Sequence, residues 1–326
     1  MRVLVTGGAG YIGSHAVREL LYNGHNVTVL DNLATGHRES LSDKASFVLG
    51  DTGDFELVCR VLREHSIEAV LHFAAFIEVG ESVTNPEKYY RNNFEAPVRL
   101  LKAMKACAVK KIVFSSTAAV YGNPISVPIS EDHPLNPINP YGRSKMMTEQ
   151  AIRESSKADG LGFAILRYFN VAGASPDGTI GEAHEPESHL IPRILQAALR
   201  GERISIYGTD YQTPDGTCIR DYIHVVDLVT AHILALEKIV PGEGSIYNLG
   251  SENGFSVRQV IEACREVTGH ALPADVHDRR PGDPDSLIAS SSRIRARGWT
   301  PKYPDLKTII AHAWQWHASH PRGYRP

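Results

Sequence analysis

Residues 2–23 constrain the fold of this chain more than any other stretch. The strand-forming run RVLVT passes directly into TGGAGYIG, and the helical pattern SHAVRELLYNG follows without a break. Gly7, Gly8, Gly10 and Gly13 let the backbone turn tightly and let a pyrophosphate come close, its charge resting on the amides that open the helix. A second strand, Asn26–Asp31, ends in a carboxylate. An acid about 20 residues beyond such glycines is where a dinucleotide's adenosine ribose is hydrogen-bonded. Asp31 would repel a 2′-phosphate, and no arginine stands beside it in DNLATG, so NAD is expected rather than NADP. Asp51, ending the third strand in FVLGDTGD, is a weaker candidate for adenine contact and could equally cap a helix.

The same alternation continues. Strands are expected at Arg2–Thr6, Asn26–Asp31, Ser46–Leu49, Ala69–Phe73, Lys111–Ser115 and Gly162–Tyr168. Helices are expected near Gly13–Asn23, Phe55–His65, Pro86–Ala106 and Tyr141–Ser156. Few of these strands alternate in polarity, as expected when both faces of a parallel sheet are covered. The fold class is therefore α/β, a Rossmann-type doubly wound parallel sheet. A smaller α/β lobe that binds substrate is expected beside it. The division places the NAD-binding domain at 1–170, with return segments from the C-terminal half, and the substrate domain mainly at 171–326. Beyond Asn170 the segment VAGASPDGTIGEAHEPES reads as a long loop over a site. Helices at Leu190–Arg200, Val225–Lys238, Ser256–Thr268 and Leu306–Ala318, with strands near Ile204–Tyr207 and Ile246–Leu249, follow it.

Composition narrows the function classes. A net charge of −3 gives no general attraction to nucleic acid or an anionic membrane, so any anion must be held locally. The four cysteines are far apart in sequence and form no Cys-x-x-Cys pair, which fits structural thiols in a reducing cytoplasm. No apolar run approaches the roughly 20 residues needed to span a bilayer, and MRVLVTGG is too short an apolar run for a secretory signal. A cytoplasmic protein with no nucleic-acid or membrane partner is expected.

Two segments carry chemistry: FSSTAAVYG at a strand end and NPYGRSK opening a helix. Tyr141 and Lys145 are four residues apart, so on a helix they share one face. A nearby ammonium and an oxidised nicotinamide both favour phenolate over a phenol whose ordinary pKa is about 10. Tyr141 could then take a proton from a hydroxyl while hydride leaves the same carbon. Thr117 lies where a strand's C-terminal end delivers a hydroxyl to the cofactor crevice. In isolation, Tyr-x-x-x-Lys is an aromatic packed under a lysine stem; following a nucleotide loop and a Ser/Thr-bearing strand end, it reads as a catalytic pair. His184 and His189 sit in a carboxylate-rich loop, but their spacing makes no recognisable metal site, and they read as solvated.

With these residues in place, the chain resembles the extended short-chain dehydrogenase/reductases and, within them, the UDP-glucose 4-epimerase group. The resemblance covers nearly the whole chain. It rests on TGGAGYIGSH, LDNLATG, VLHFAAF, VGESV, YYRNNF, SSTAAVYG, NPYGRSK, RYFNVAGA, DGTCIRDYIHV, YNLG and RRPGD, in that order. It implies that Gly7, Gly10, Tyr11, Ile12, Gly13, Asp31, Asn32, Asp51, Thr52, Phe73, Ala74, Ala75, Ser115 and Tyr168 join Tyr141 and Lys145 around NAD. Asn93 supports the active-site end of its helix. Thr117, Tyr141 and Lys145 become the catalytic group. For a UDP-sugar substrate it implies Asn170, His189 and Leu190 near the diphosphate, Arg220 and Arg280 as guanidinium clamps, Asp283 on the uridine ribose, Tyr207 near uracil and Leu287 on the sugar-pocket wall. For Arg220 the alternative is an ion pair with Asp221, and for Arg280 a solvated surface charge.

Three positions depart from the group's pattern. Ile77 stands where a lysine often approaches the nicotinamide, His189 where an asparagine is common, and Thr117 where serine is more frequent. The implied reaction interconverts UDP-glucose and UDP-galactose by transient oxidation at C4, with UDP-N-acetylhexosamines or UDP-pentoses as alternatives. A 4,6-dehydratase would need the acids that usually follow the catalytic threonine, and Ala118 and Ala119 stand there instead. A non-catalytic NAD sensor on the same fold is the rival outside enzymes. The resemblance also implies a homodimer through the Pro86–Ala106 and Tyr141–Ser156 helices, whose apolar residues could equally be sheet-packing faces.

Overall fold

The computed structural model describes residues 1–280 and 283–325, and the chain divides into two compact units. The first comprises 1–122, 134–167 and 229–247; the second comprises 123–133, 168–228 and 248–326.

The first unit is built on a seven-stranded sheet. Its strands are β1 (Arg2–Thr6), β2 (Asn26–Asp31), β3 (Ser46–Leu49), β4 (Ala69–His72), β5 (Lys111–Thr117), β6 (Gly162–Tyr168) and β7 (Gly244–Leu249). They lie in the order β7-β6-β5-β4-β1-β2-β3. The pairings from β3 through β5 are parallel, with Val3 opposite both Val27 and Ala69. The reversal of strand order at β1 makes a crevice at its carboxyl end, the place where open α/β sheets bind ligands. Helices α1 (Tyr11–Tyr22), α2 (Phe55–Glu64), α3 (Ala96–Ala106) and α4 (Pro140–Asp159) connect and cover the strands. Leu4, Leu30, Val70, Ile112, Phe114 and Ile165 from the sheet form one buried cluster with Val58, Leu62, Leu100 and Met104 from α2 and α3. Each such side chain contributes about 1.5–3 kcal/mol.

Local chemistry explains the differences from the expected boundaries. β4 stops at His72 because the Phe73 and Ala74 amides both donate to the Thr6 carbonyl, at 2.9 and 3.1 Å, which turns the chain. The expected Pro86–Ala106 helix is helical throughout but carries a π-turn at Arg91–Glu95. α4 begins at Pro140 because Asn139 accepts the Gly142 amide at 2.8 Å, and it ends at Gly160 in the left-handed conformation. All four cysteines are free. Cys59 and Cys107, distant in sequence, meet in space, the Cys107 thiol donating to the Cys59 carbonyl at 3.7 Å.

The second unit carries several strands shorter than the sequence pattern reveals. Ile219–His224 pairs in parallel with Asn170–Ala172 and with Ser286–Leu287, and antiparallel with Gly254–Ser256. A separate parallel pair joins Ile204–Tyr207 to Ala274–His277. Helices α5 (Leu190–Arg200), α7 (Val257–Thr268) and α8 (Leu306–Ser319) bury Ile194, Leu195, Ile261, Cys264, Ile309 and Ile310 in one core; α6 (Val225–Glu237) precedes β7. Among the described residues no helix is long and apolar enough to cross a membrane.

Candidate active site

The glycine-rich turn has the shape a dinucleotide needs. Gly7 has φ +70°, and a Cβ there would lie 2.5 Å from the Ala74 nitrogen. At Gly13 a Cβ would lie 2.1 Å from the Gly7 carbonyl oxygen, so only glycine lets α1 start this close to the turn. At Gly10 a Cβ would meet nothing nearer than 3.4 Å, which leaves the turn's outer side open to a ligand. Tyr11 and Ile12 are half-buried in the first turn of α1.

Asp31 is buried at the end of β2. Its two carboxylate oxygens accept the Ala9 and Leu33 amides at 2.9 and 2.8 Å, which fixes the carboxylate beside the turn. Asn32 donates to Asp51 at 3.1 Å, linking the ends of β2 and β3, and Thr52 beyond them is buried. Asp51 does not cap α2. That role falls to Asp54, which accepts the Leu57 amide, while Asp51 closes a local turn onto the Gly53 amide. Phe73, Ala74, Ala75 and Ile77 are half-buried along the segment that leaves β4. Asn93, in the π-turn, clamps that segment by accepting the Phe76 amide and donating to the Phe76 carbonyl, at 2.9 and 2.8 Å. π-turns of this kind recur at functional sites.

Thr117, Tyr141 and Lys145 come together through one close approach. α4 reaches the turn after β5 so tightly that a Cβ on Gly142 would lie 2.5 Å from the Ala119 carbonyl oxygen. The Thr117 hydroxyl accepts the Ala119 amide at 3.1 Å and lies close enough to Tyr141 to favour its phenolate. Tyr141 packs edge-on against Tyr89. Lys145 is buried, and its Nζ donates to the Ser115 carbonyl at 2.9 Å. The electrostatics depart from the sequence expectation. Burial raises the Tyr141 phenol, partly offset by the Thr117 hydroxyl, and Glu78 raises it further. Burial also pulls Lys145 down to about 7, with Glu149 acting against that fall. The expected depression of Tyr141 by Lys145 is therefore not a property of these side chains alone.

Sequence reasoning missed the network that holds this group. Glu149 lies one helical turn beyond Lys145 and accepts from Arg167 at 2.9 and 2.5 Å and from the Ser116 hydroxyl at 2.6 Å. Arg167 also donates to the Tyr121 hydroxyl at 2.9 Å. Only 1% of the Arg167 side chain and 2% of the Glu149 side chain are exposed. The signal was present as RSKMMTE and ILRYF, with a charge at an otherwise apolar position of each element.

The residues assigned to substrate lie in the second unit and form two local groupings. Arg220 donates to Asp283 at 2.6 Å and to the Pro284 carbonyl at 2.9 Å. Its partner is thus Asp283, not Asp221. Asp221 is fully buried and accepts from Ser251, Glu252 and Ala289; burial pushes its carboxyl up to about 6, against those hydrogen bonds. Leu287 pairs with Arg220 across the strands. The Arg280 guanidinium stacks 4.2 Å above the Tyr207 ring, so it is not simply a solvated surface charge. Of RRPGD, Pro281 and Gly282 lie outside the described residues. Asn170 donates to the Asp221 carbonyl at 3.1 Å. Tyr168, ending β6, and Leu190, opening α5, are half-buried.

His189 precedes α5, but its ring faces Glu182 and Glu187 at 2.9 and 3.1 Å rather than standing open beside a diphosphate. His184 faces the same two carboxylates at 3.1 and 3.7 Å. The reading of these histidines as simply solvated is corrected: both rings pair with Glu182 and Glu187, whose side chains are only 3% and 4% exposed, although the His189 side chain itself stays 39% exposed.

A nucleotide turn, a buried acid after β2 and a Thr, Tyr and Lys group on β5 and α4 define a dinucleotide-dependent site that oxidises or reduces a carbon bearing a hydroxyl. Residues 3–250 match the model of the NAD dependent epimerase/dehydratase family. The chain is 55% identical to a UDP-glucose 4-epimerase of Halalkalibacterium halodurans, over 99% of this chain and 98% of that protein. It is also similar to a crystal structure of a UDP-glucose 4-epimerase, with TM-score 0.96, 49% identity and full coverage of both chains. A UDP-glucose 4-epimerase from Bifidobacterium longum, solved with NAD+ and UDP, superposes with TM-score 0.95 at 39% identity, covering 99% of this chain and 100% of that one. The chain belongs to the NAD dependent epimerase/dehydratase family, and its cofactor is NAD.

Proposed function

We propose that the chain interconverts UDP-glucose and UDP-galactose by transient oxidation at C4 of the sugar. The observation that carries this reading is that Thr117, at the carboxyl end of β5, and Lys145, buried and bonded to the Ser115 carbonyl, flank Tyr141 in the unit that carries a turn shaped for NAD. Bound NAD+ would supply the hydride acceptor for oxidation at C4 and the hydride donor for its reversal. The residues of the chain handle the proton and the binding. Tyr141 accepts the C4 hydroxyl proton and later returns it, and Thr117 holds the oxygen during both transfers. Lys145, kept near the phenol by its bond to Ser115, favours the ionised tyrosine when it carries its proton. Asp31 binds the adenosine ribose, and the open side of Gly10 admits the pyrophosphate.

In the second unit, Arg220 and Arg280 hold the UDP diphosphate, Asp283 the uridine ribose and Tyr207 the uracil, with Asn170 and Leu190 near the diphosphate; the His189 ring, turned to Glu182 and Glu187, takes no part. Firm holding of UDP leaves the oxidised sugar free to present its other face. The absence of carboxylates at Ala118 and Ala119 leaves C5–C6 elimination without its acid and base. Incubation with UDP-galactose yields UDP-glucose, and the relative turnover of UDP-galactose, UDP-N-acetylgalactosamine and UDP-xylose ranks the sugars. A purified, NAD-loaded protein that converts none of them would sink the reading.

The enzyme acts in the cytoplasm as a homodimer. Phe94 is half-buried and Val98, one turn on, is 39% exposed, leaving apolar surface on the helical run expected to pair. Sedimentation equilibrium returning the mass of two chains agrees with this; a single 35.8 kDa species does not.

A further inference from the structure

The loop that precedes α5 brings four metal-ligating side chains to one point: Glu182, His184, Glu187 and His189, with ligand atoms all within 4.8 Å of one another. They alternate around a ring. His184 Nδ1 lies 3.1 Å from Glu182 Oε1 and 3.7 Å from Glu187 Oε2; His189 Nδ1 lies 2.9 Å from Glu182 Oε1 and 3.1 Å from Glu187 Oε1. In a tetrahedral zinc site with bonds of about 2.0–2.1 Å, neighbouring ligand atoms stand roughly 3.3 Å apart. The four separations bracket that edge.

Hydrogen bonds alone account for this arrangement poorly. Each imidazolium carries one proton on Nδ1, and one N–H points at one oxygen. Yet each Nδ1 here faces two carboxylates, and both carboxylates are nearly inaccessible to water. Glu187 Oε2 is buried and has no hydrogen-bond partner, although it is aimed into the cluster. A single divalent cation at the centre satisfies all four contacts at once. With neutral imidazoles, two carboxylates cancel its charge, which removes the cost of burying it.

We propose that Glu182, His184, Glu187 and His189 form a structural site for one zinc ion, distinct from the oxidation chemistry and independent of the substrate assignment. Two imidazoles and two carboxylates suit Zn2+ rather than Mg2+ or Ca2+, which take oxygen ligands in larger number. The ion pins a segment that is otherwise held at its ends. At one end, Trp316 of α8 donates to the Glu182 carbonyl at 3.2 Å and Tyr324 bonds Gly181 at 3.1 Å; at the other, His189 leads directly into α5. Buried His317 of α8 stands close enough to feel the charges of Glu182 and Glu187.

The test uses the full chain, stripped with a chelator and then titrated with Co2+ and Zn2+ alone. One equivalent of Co2+ is expected to give the intense visible absorption of a tetrahedral site, and Zn2+ should displace it stoichiometrically. Glu187→Gln and His184→Asn are each expected to weaken binding by about 100-fold or more, with folding followed by circular dichroism. Metal analysis of protein purified without chelator should find one zinc per chain. A folded wild-type protein that gives no tetrahedral Co2+ spectrum overturns the site, as do folded variants that bind like the wild type. If a variant fails to fold, the wild-type titration decides alone.

Discussion

Tyr141 and Lys145 show how burial and charge act in opposite directions on a single pair. The sequence places them one helical turn apart, and α4 keeps them there. Burial, however, raises the phenol and lowers the ammonium, so each group is pushed toward its neutral form. Spacing was legible; desolvation was not, because it depends on what β5 and the Tyr89 ring place around the phenol. His72 gives the clearest pH consequence at this scale. Its Nδ1 meets the Thr6 hydroxyl at 2.7 Å, and burial, with Lys145 nearby, holds its pKa down at about 3. The unfolded value is about 6.5. Between those limits the unfolded chain takes up a proton that the folded chain refuses, so the His72 contribution to stability is full above about pH 6.5 and falls as pH decreases. The slope approaches 1.4 kcal/mol per pH unit. His72→Asn should flatten the dependence of melting temperature on pH between about 6.5 and 5. An unchanged slope would show that His72 does not set it.

Elements with local signals were read well, and elements defined by distant partners were not. The β1–turn–α1 segment and the two ends of α4, at Asn139 and Gly160, follow from glycine, proline and asparagine chemistry close at hand. The π-turn at Arg91–Glu95 carries Asn93, which bonds the Phe76 backbone 17 residues away, a partner that no window of sequence displays. The Arg167–Glu149 pair is similar: one charge on β6 and one on α4, neutralised only when the two elements pack. Removing one partner of such a buried pair leaves the other charge unpaired, at a cost of about 3–5 kcal/mol. Glu149→Gln should lower the unfolding free energy by about that amount. It should also move the Lys145 titration further down, because Glu149 supports its ammonium. Denaturant melts and the pH profile of kcat report the two effects separately. A loss of stability with an unmoved pH profile would reduce Glu149 to a packing role.

At the scale of the whole chain, the two units differ in how far sequence reached. The first unit's sheet followed from alternating strands and helices, since each strand is long enough to carry its own pattern. The second unit's sheet is built from strands such as Asn170–Ala172, Gly254–Ser256 and Ser286–Leu287, too short to carry a period and paired, among the described residues, through Ile219–His224. For the same reason the substrate residues were reached by resemblance rather than by pattern, and their local partners emerged only in three dimensions: Asp283 for Arg220, Tyr207 for Arg280. The central claim is that one carbon loses and regains the same hydride while Tyr141 carries the proton. UDP-galactose bearing deuterium at C4 tests it most directly, with mass and NMR analysis of the product and Tyr141→Phe run beside the wild type. The account predicts UDP-glucose with the deuterium still at C4, no uptake of solvent hydrogen there, and no product from Tyr141→Phe despite bound NAD. Deuterium lost to solvent, or product formed at the wild-type rate without the tyrosine hydroxyl, would contradict it.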